Sequence, residues 1–378
     1  MNKENTTSPG HSKKVKVFKL VGKIFAGLIM LILLAFVSIT VVYPAILRSA
    51  NRIDSPYGVD SMEIVEIGGI YQALYFRGQN VENPVVLFLH GGPGSPHMPM
   101  IHDYQFELEH YFTIVQWDQP NAGKTFFLND PDVVLETLSF ERVLIDAYEV
   151  TQYIRLRLGV DQIILVGYSW GSLLGTALVQ AHPQYFSAYI SIGQNVNQRE
   201  SERLAFEALL ELAHASGDQR HIANVEALGP PPLGDFDENW VRYIIGSRDL
   251  MQRHGFVTNS LLDGRIAFTS PFYSLRERMY FMTVDVFKYQ LPLLQYVFDE
   301  ALHIRNFGTT YYIPVFYIMG ELDRQTSYQL AKEFFEEIIA PQKSFFSIPN
   351  AGHAPMHENT AEFNRIFIEE IRPLILAR

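Results

Sequence analysis

The chain has 378 residues, 48% of them hydrophobic and 19% charged, with no cysteine and a net charge of −11. That length exceeds one minimal core and calls for a large domain with an insertion or for two domains. The missing cysteines exclude disulfide frameworks, thiolate metal sites and cysteine nucleophiles. Residues 1–23 carry six lysines against Glu4 alone, so the remainder is more acidic than the total, which argues against a nucleic-acid partner.

The first element is Ile24 to Tyr43, "IFAGLIMLILLAFVSITVVY", 20 residues without a charge. At ~1.5 Å per residue it matches a hydrocarbon core of ~30 Å, and a transmembrane helix is expected. A cleaved signal peptide has an apolar stretch of only about 7 to 15 residues, and "YPAILRSAN" is a poor cleavage site. Lysines precede the span and only Arg48 and Arg52 follow closely, which sets a cytoplasmic amino terminus of residues 1–23 and an extracytoplasmic domain on a single-pass anchor in the cell membrane. Residues 44–60 read as a linker.

Beyond it, "SMEIVEIGGIYQALYFRG" alternates with period two around Gly68-Gly69 and predicts a β-hairpin. "PVVLFLHGGPGSP" is an apolar strand emptying into a glycine and proline loop, and "YFTIVQWDQPNAGKT" is a strand ending in a polar loop. "SFERVLIDAYEVTQYIRLRLG" has helical spacing with Gly159 as its C-cap. A strand, a helix and the strand "FSAYISIG" follow. Such alternation predicts an α/β fold, a mostly parallel sheet with helices on both faces. From Asn195 to Asn306 the strand runs vanish and the pattern is helical, so 195–306 is expected as an inserted cap between core segments 61–194 and 307–378. "YIPVFYIMGELD" and "KSFFSIPNAGH" then restore the alternation, with a last helix reaching Leu376.

One corner of this pattern carries chemistry. In "ILVGYSWGSLLGTALVQAHP", a buried strand pinches between Gly167 and Gly171 and passes directly into a helix, leaving Ser169 at the turn. The flanking glycines leave room that a Cβ would fill, and the serine is forced into strained backbone angles, a cost that suggests its hydroxyl is wanted there. Five residues with three fixed are a modest signal alone. Context strengthens it: Asp323 in "GELDRQTS" and His353 in "NAGHAPMHE" lie just past later strands, at the edge where an open α/β sheet places its site. A serine needs an imidazole to take its proton, and the imidazole needs a carboxylate to fix its tautomer and stabilise its charge. Ser169, Asp323 and His353 are the candidates; Glu321 and His357 are the rival acid and base. For an oxyanion, "HGGPG" offers the amide of Gly92, or of Gly91 as next choice, with that of Trp170.

Two other patterns fail. "AGKT" lacks the earlier glycine of a phosphate-binding loop, since Asp118 stands there, and His97, His102 and His110 fit no metal-ligand spacing. Neither a metal nor a cofactor is implied.

Taken together, "HGGPGSP", "WDQ" at Trp117 to Gln119, "GYSWGS", "GELD" and "AGH" make the chain from Ser61 onward resemble the α/β-hydrolase superfamily and, within it, the proline iminopeptidase group of serine aminopeptidases. The resemblance implies a helical cap after the sixth core strand whose glutamates bind the free α-amine of a peptide; Glu200 and Glu202 are the candidates. It departs in one loop, where Pro120 and Asn121 replace the group's usual Arg-Gly, which puts proline specificity in question. The expected activity is removal of the amino-terminal residue from short peptides through an acyl-enzyme. The alternative is an esterase or amidase on small acyl substrates with the same triad. A third reading, a binding protein on a retired hydrolase scaffold, is disfavoured by the intact triad.

Overall fold

A computed structural model describes residues 9–256 and 260–377 and divides the chain into two compact units, one ending at Ala50 and one running from Asn51. The amino-terminal unit is helical: α1 (Pro9–Val37), a π turn (Ser38–Val42) and α2 (Tyr43–Ala50). Phe18–Ala50 is long and apolar enough to cross a membrane, and only 6% of its most apolar stretch is buried. Helix therefore occupies part of the segment expected as linker. The π turn lies just ahead of Pro44, which has no N–H to donate to the preceding turn, and the Thr40 hydroxyl bonds the Phe36 carbonyl at 2.7 Å.

The second unit is built on eight strands among the described residues, in the order β1-β2-β4-β3-β5-β6-β7-β8. β1 (Val59–Ile67) and β2 (Ile70–Gly78) form the expected hairpin, closed by Gly68 and Gly69 at φ 56° and 79°, a turn that needs positive φ at both positions. β2 runs antiparallel to β4 (Thr113–Asp118). All other pairings are parallel, through β3 (Val85–Leu89), β5 (Ile163–Tyr168), β6 (Phe186–Ile192), β7 (Val315–Gly320) and β8 (Lys343–Ile348).

Because side chains alternate along a strand, the sheet feeds two cores. Leu87, Leu89, Val115, Trp117 and Leu165 pack on one face with α5 (Phe140–Leu158) and α6 (Trp170–Ala181). Val86, Phe88, Ile114, Ile164 and Val166 pack on the other with Phe363, Ile366 and Phe367 near the carboxyl terminus. α5 starts at Ser139, whose hydroxyl accepts from the Arg142 N–H at 3.2 Å, and stops at Gly159 in the left-handed region.

Between β4 and α5 lie α3 (Gly123–Leu128) and α4 (Pro131–Thr137). Between β6 and β7 the chain is helical, and three of its helices, α7 (Gln198–Ser216), α8 (Gln219–Leu228) and α9 (Glu238–Gln252), enclose a separate small core of Ala205, Leu209, Ala213, Val225, Leu250 and Met251. α10 (Ser260–Phe268) and four short helices, α11 (Leu275–Arg278), α12 (Tyr280–Thr283), α13 (Val286–Tyr289) and α14 (Leu291–Val297), complete the insertion; the mixed periodicity of this stretch reflects its frequent turns. After β7 come α15 (Tyr328–Glu337), then α16 (Pro355–Glu358), α17 (Thr360–Arg365), a π turn and α18 (Arg372–Leu376).

Candidate active site

Every parallel strand ends at the same edge of the sheet, and each contributes a loop there. The β5–α6 corner is the tightest. A Cβ on Gly167 would lie 2.4 Å from the Gly171 carbonyl oxygen, and one on Gly171 would lie 2.2 Å from that of Leu89, so neither position accepts a side chain. Ser169 between them adopts φ 54° and ψ −118°, a conformation L residues rarely take, and is nearly buried. Its N–H is tied to the Ile192 carbonyl at 2.9 Å.

The structure brings Ser169, His353 and Asp323 together. His353 Nε2 is 2.9 Å from Ser169 Oγ, and His353 Nδ1 is 2.9 Å from Asp323 Oδ2. Asp323 is fully buried, and its Oδ1 accepts from the N–H groups of Gln325 at 2.9 Å and Thr326 at 3.1 Å. Burial alone would raise its pKa, but His353 and the Thr326 donors outweigh this and hold it below the usual carboxylate value. The carboxylate therefore stays charged and keeps the His353 proton on Nδ1, leaving Nε2 free to receive one from Ser169. The rivals fall elsewhere: Glu321 is exposed, and His357 Nδ1 pairs with Asp103 at 2.8 Å.

Two neighbours of this chain escaped the sequence reading. Thr326 Oγ1 lies 2.9 Å from Asp323 Oδ2 and 3.2 Å from His353 Nδ1, bracing the acid. Gly193, at φ 56°, passes so close that a Cβ would lie 3.2 Å from His353 Cε1. A glycine ending a strand beside the elbow strand was the available signal for the second; a threonine three residues past an aspartate is too common to signal the first.

The glycine loop sits against the same corner. A Cβ on Gly91 would approach Ser169 Cβ to 3.1 Å, while Gly92, at φ 115°, lines the cavity above the serine. Trp170 opens α6, so its N–H belongs to the first-turn donors that have no partner within the helix. Fixing these groups is a buried network of His90, Gln119 and Trp170. His90 Nδ1 donates to the Gly91 carbonyl at 2.8 Å and Nε2 accepts from the Gln119 N–H at 3.2 Å. Complete burial lowers the His90 pKa to about 4, so the ring is neutral and able to accept. The Gln119 side chain donates to the His90 carbonyl at 3.2 Å and accepts from the Trp170 indole at 2.9 Å, tying loop to elbow.

Above Ser169 opens a cavity of about 510 Å³ whose wall includes His97, Met100, Tyr168, Arg248, Phe281 and His357. Glu200 and Glu202 are not among its lining residues. Glu200 is gripped by Arg203 at the surface, and Glu202 is fully buried with its carboxylate forked onto Arg248, at 2.5 and 2.9 Å, and held by Gln198 at 2.7 Å. No carboxylate stands among the described residues that line the cavity.

Residues 84–228 match the family model described as alpha/beta hydrolase fold. The chain has the α/β-hydrolase fold. It is similar to a probable aminopeptidase of Bacillus subtilis, 28% identical over 308 residues that span 80% of this chain and 93% of that one. A probable proline iminopeptidase of Leptolyngbya boryana is 31% identical over 141 residues, 37% of each chain. The crystal structure of a proline iminopeptidase-related protein from Thermus thermophilus superposes with a TM-score of 0.59 at 21% identity, covering 85% of this chain and all of that one, a likeness of fold.

Proposed function

We propose that this hydrolase is a serine aminopeptidase held at the cell membrane by its amino-terminal helix, removing the first residue of short peptides through an acyl-enzyme. The observation that carries the chemistry is the unbroken chain of hydrogen bonds from Ser169 through His353 to Asp323 at the floor of a cavity. Ser169 Oγ attacks the scissile carbonyl as His353 Nε2 takes its proton. The oxyanion is received by the amides of Gly92 and Trp170, with Gly91 as the alternative donor. His353 then protonates the departing amine, and a water deprotonated by the same imidazole hydrolyses the ester. The amino-terminal specificity rests on likeness to aminopeptidase relatives.

A second reading, an esterase or amidase on small acyl substrates, draws on the same triad. It is favoured by the cavity wall, where no described carboxylate waits for an ammonium and Glu202 is already paired with Arg248.

Two measurements test these readings. Ser169→Ala is expected to fold and to lose hydrolysis by ~10⁴-fold or more; comparable turnover in the pure variant removes Ser169 from the mechanism. An aminopeptidase should prefer a free-amine anilide over its acetylated form by ~10²-fold or more in kcat/KM, since a charge-assisted hydrogen bond contributes ~1.5 to 3 kcal/mol and two or so are lost. Equal rates on the two sink the aminopeptidase reading and leave the esterase.

A further inference from the structure

The cavity wall points to a substrate feature that neither reading names. Arg248 projects from α9 into this wall with 18% of its side chain exposed. Its position is set by Glu202, which is fully buried on α7 and bonded to both terminal guanidinium nitrogens. Gln198 locks Glu202 in turn, donating to it at 2.7 Å and to the Gln325 carbonyl at 3.1 Å, two residues past Asp323. Nη1 also meets the Ser247 hydroxyl at 3.0 Å. A guanidinium has five N–H donors, and among the described residues no acceptor meets Nε–H or the second Nη2 hydrogen.

Burial opposes the charge on Arg248 but Glu202 more than restores it, so the group is a permanent cation. The other polar side chains on the wall are those of Ser95, Tyr168, Ser169, Gln252, Gln325 and three histidines, all of which can donate, and none carries a negative charge. A rigid guanidinium with unused donors, in a cavity without a described carboxylate, matches an anion of carboxylate shape better than any cation.

We propose that Arg248 is a specificity-determining residue that binds a carboxylate of the substrate while Ser169 attacks its carbonyl. The proposal rests on the serine hydrolase reading but not on the amine. Two sources would present that group: an acid on the acyl side, as in a dicarboxylic half-ester, or the free carboxyl terminus of a dipeptide on the leaving side.

Two matched pairs separate them. The nitrophenyl ester of glutarate is compared with that of pentanoate, and alanyl-alanine with alanyl-alaninamide. The native enzyme should favour the carboxylate member of one pair by on the order of tenfold or more in kcat/KM, the gain of one charge-assisted contact. In a variant joining Arg248→Gln with Glu202→Gln, which leaves no lone buried charge, that ratio should fall toward one. A merely structural role for Arg248 would lower both members and leave the ratio in place. Should the double variant fail to fold, glutarate and glutaramide are compared as competitive inhibitors of the native enzyme, glutarate being expected to bind at least tenfold tighter. Equal rates within both pairs, a ratio that survives the double substitution, or equal inhibition overturns the proposal. The ester pair needs no amine, so failure of the aminopeptidase reading is seen separately, in the free and acetylated anilides.

Discussion

His353 and His357 are one helical turn apart in a loop and a short helix, and both face the cavity, yet their partners differ in kind. His353 has a fully buried carboxylate on one side and the serine hydroxyl on the other. His357 pairs with Asp103, a third exposed, and its Nε2 has no partner among the described residues. His353→Ala should therefore cost ~10⁴-fold in kcat, whereas His357→Ala should stay within ~10-fold; steady-state kinetics showing the reverse ranking would reassign the base. The meeting of Ser169, Asp323 and His353 was legible because each sits in a recognisable local context, a glycine-pinched elbow and two loops after apolar strands. Thr326, Gly193, His90 and Gln119 were not, since what matters about them is proximity across the fold. Glu200 and Glu202 show the same limit from the other side. Their spacing puts them on one helix, but only the position of Arg248, some 46 residues later, decides where the Glu202 charge is spent.

At the scale of elements, the loop after β4 is where this chain departs from the proline iminopeptidase pattern, and it is also where the insertion is fastened to the sheet. Asn121 takes a left-handed φ of 55°, and its carbonyl accepts from Tyr280 at 3.0 Å and Gln290 at 2.9 Å, on or beside α12 and α14. Next to it Asp118 is completely buried: Oδ2 accepts from the Tyr273 hydroxyl and from the Lys124 N–H at 2.7 Å, while Oδ1 meets no donor among the described residues. Lys124 Nζ then reaches Glu277 on α11 at 2.7 Å. Burial dominates at Asp118 and raises its pKa to about 7 despite the Tyr273 and Lys124 bonds. The sign follows from proton uptake. Between the unfolded value near 3.8 and about 7, the folded state holds a proton the unfolded state has released. The contribution of Asp118 is thus greatest below pH ~4 and is lost as pH rises toward 7, by up to ~1.4 kcal/mol per pH unit. Asp118→Asn should flatten that slope. Urea unfolding of both proteins from pH 4.5 to 8 measures it, and parallel curves would show that Asp118 ionises as readily folded as unfolded. Sequence pattern located this clasp only as a polar loop, because the partners come from helices whose short turns leave no clean period.

On the scale of the whole molecule, the two units treat their apolar residues differently. From Phe18 to Ala50 the helix leaves nearly all its apolar side chains uncovered, with Leu31, Ile32 and Leu33 each more than half exposed, whereas the apolar residues of the sheet unit fill cores on both of its faces. Water-exposed apolar surface costs roughly 25 cal/mol per Å², which is the physical ground for the membrane anchor proposed above. All residues of the candidate site lie after Asn51. The full chain should accordingly sediment with membranes, resist washing with concentrated salt, and be released by detergent. A chain beginning at Asn51, which keeps the carbonyl that Arg77 Nη2 bonds at 2.7 Å, should appear in the soluble fraction with kcat/KM on a small soluble substrate within ~3-fold of the detergent-extracted enzyme. The six amino-terminal lysines add direction: protease supplied outside intact cells should degrade the hydrolase unit, because positive charge is retained on the cytoplasmic side. Release of the full chain by salt alone would mean that the helix lies on a surface and does not span. Protection of the unit until the cells are broken would place the site, and therefore its substrates, in the cytoplasm.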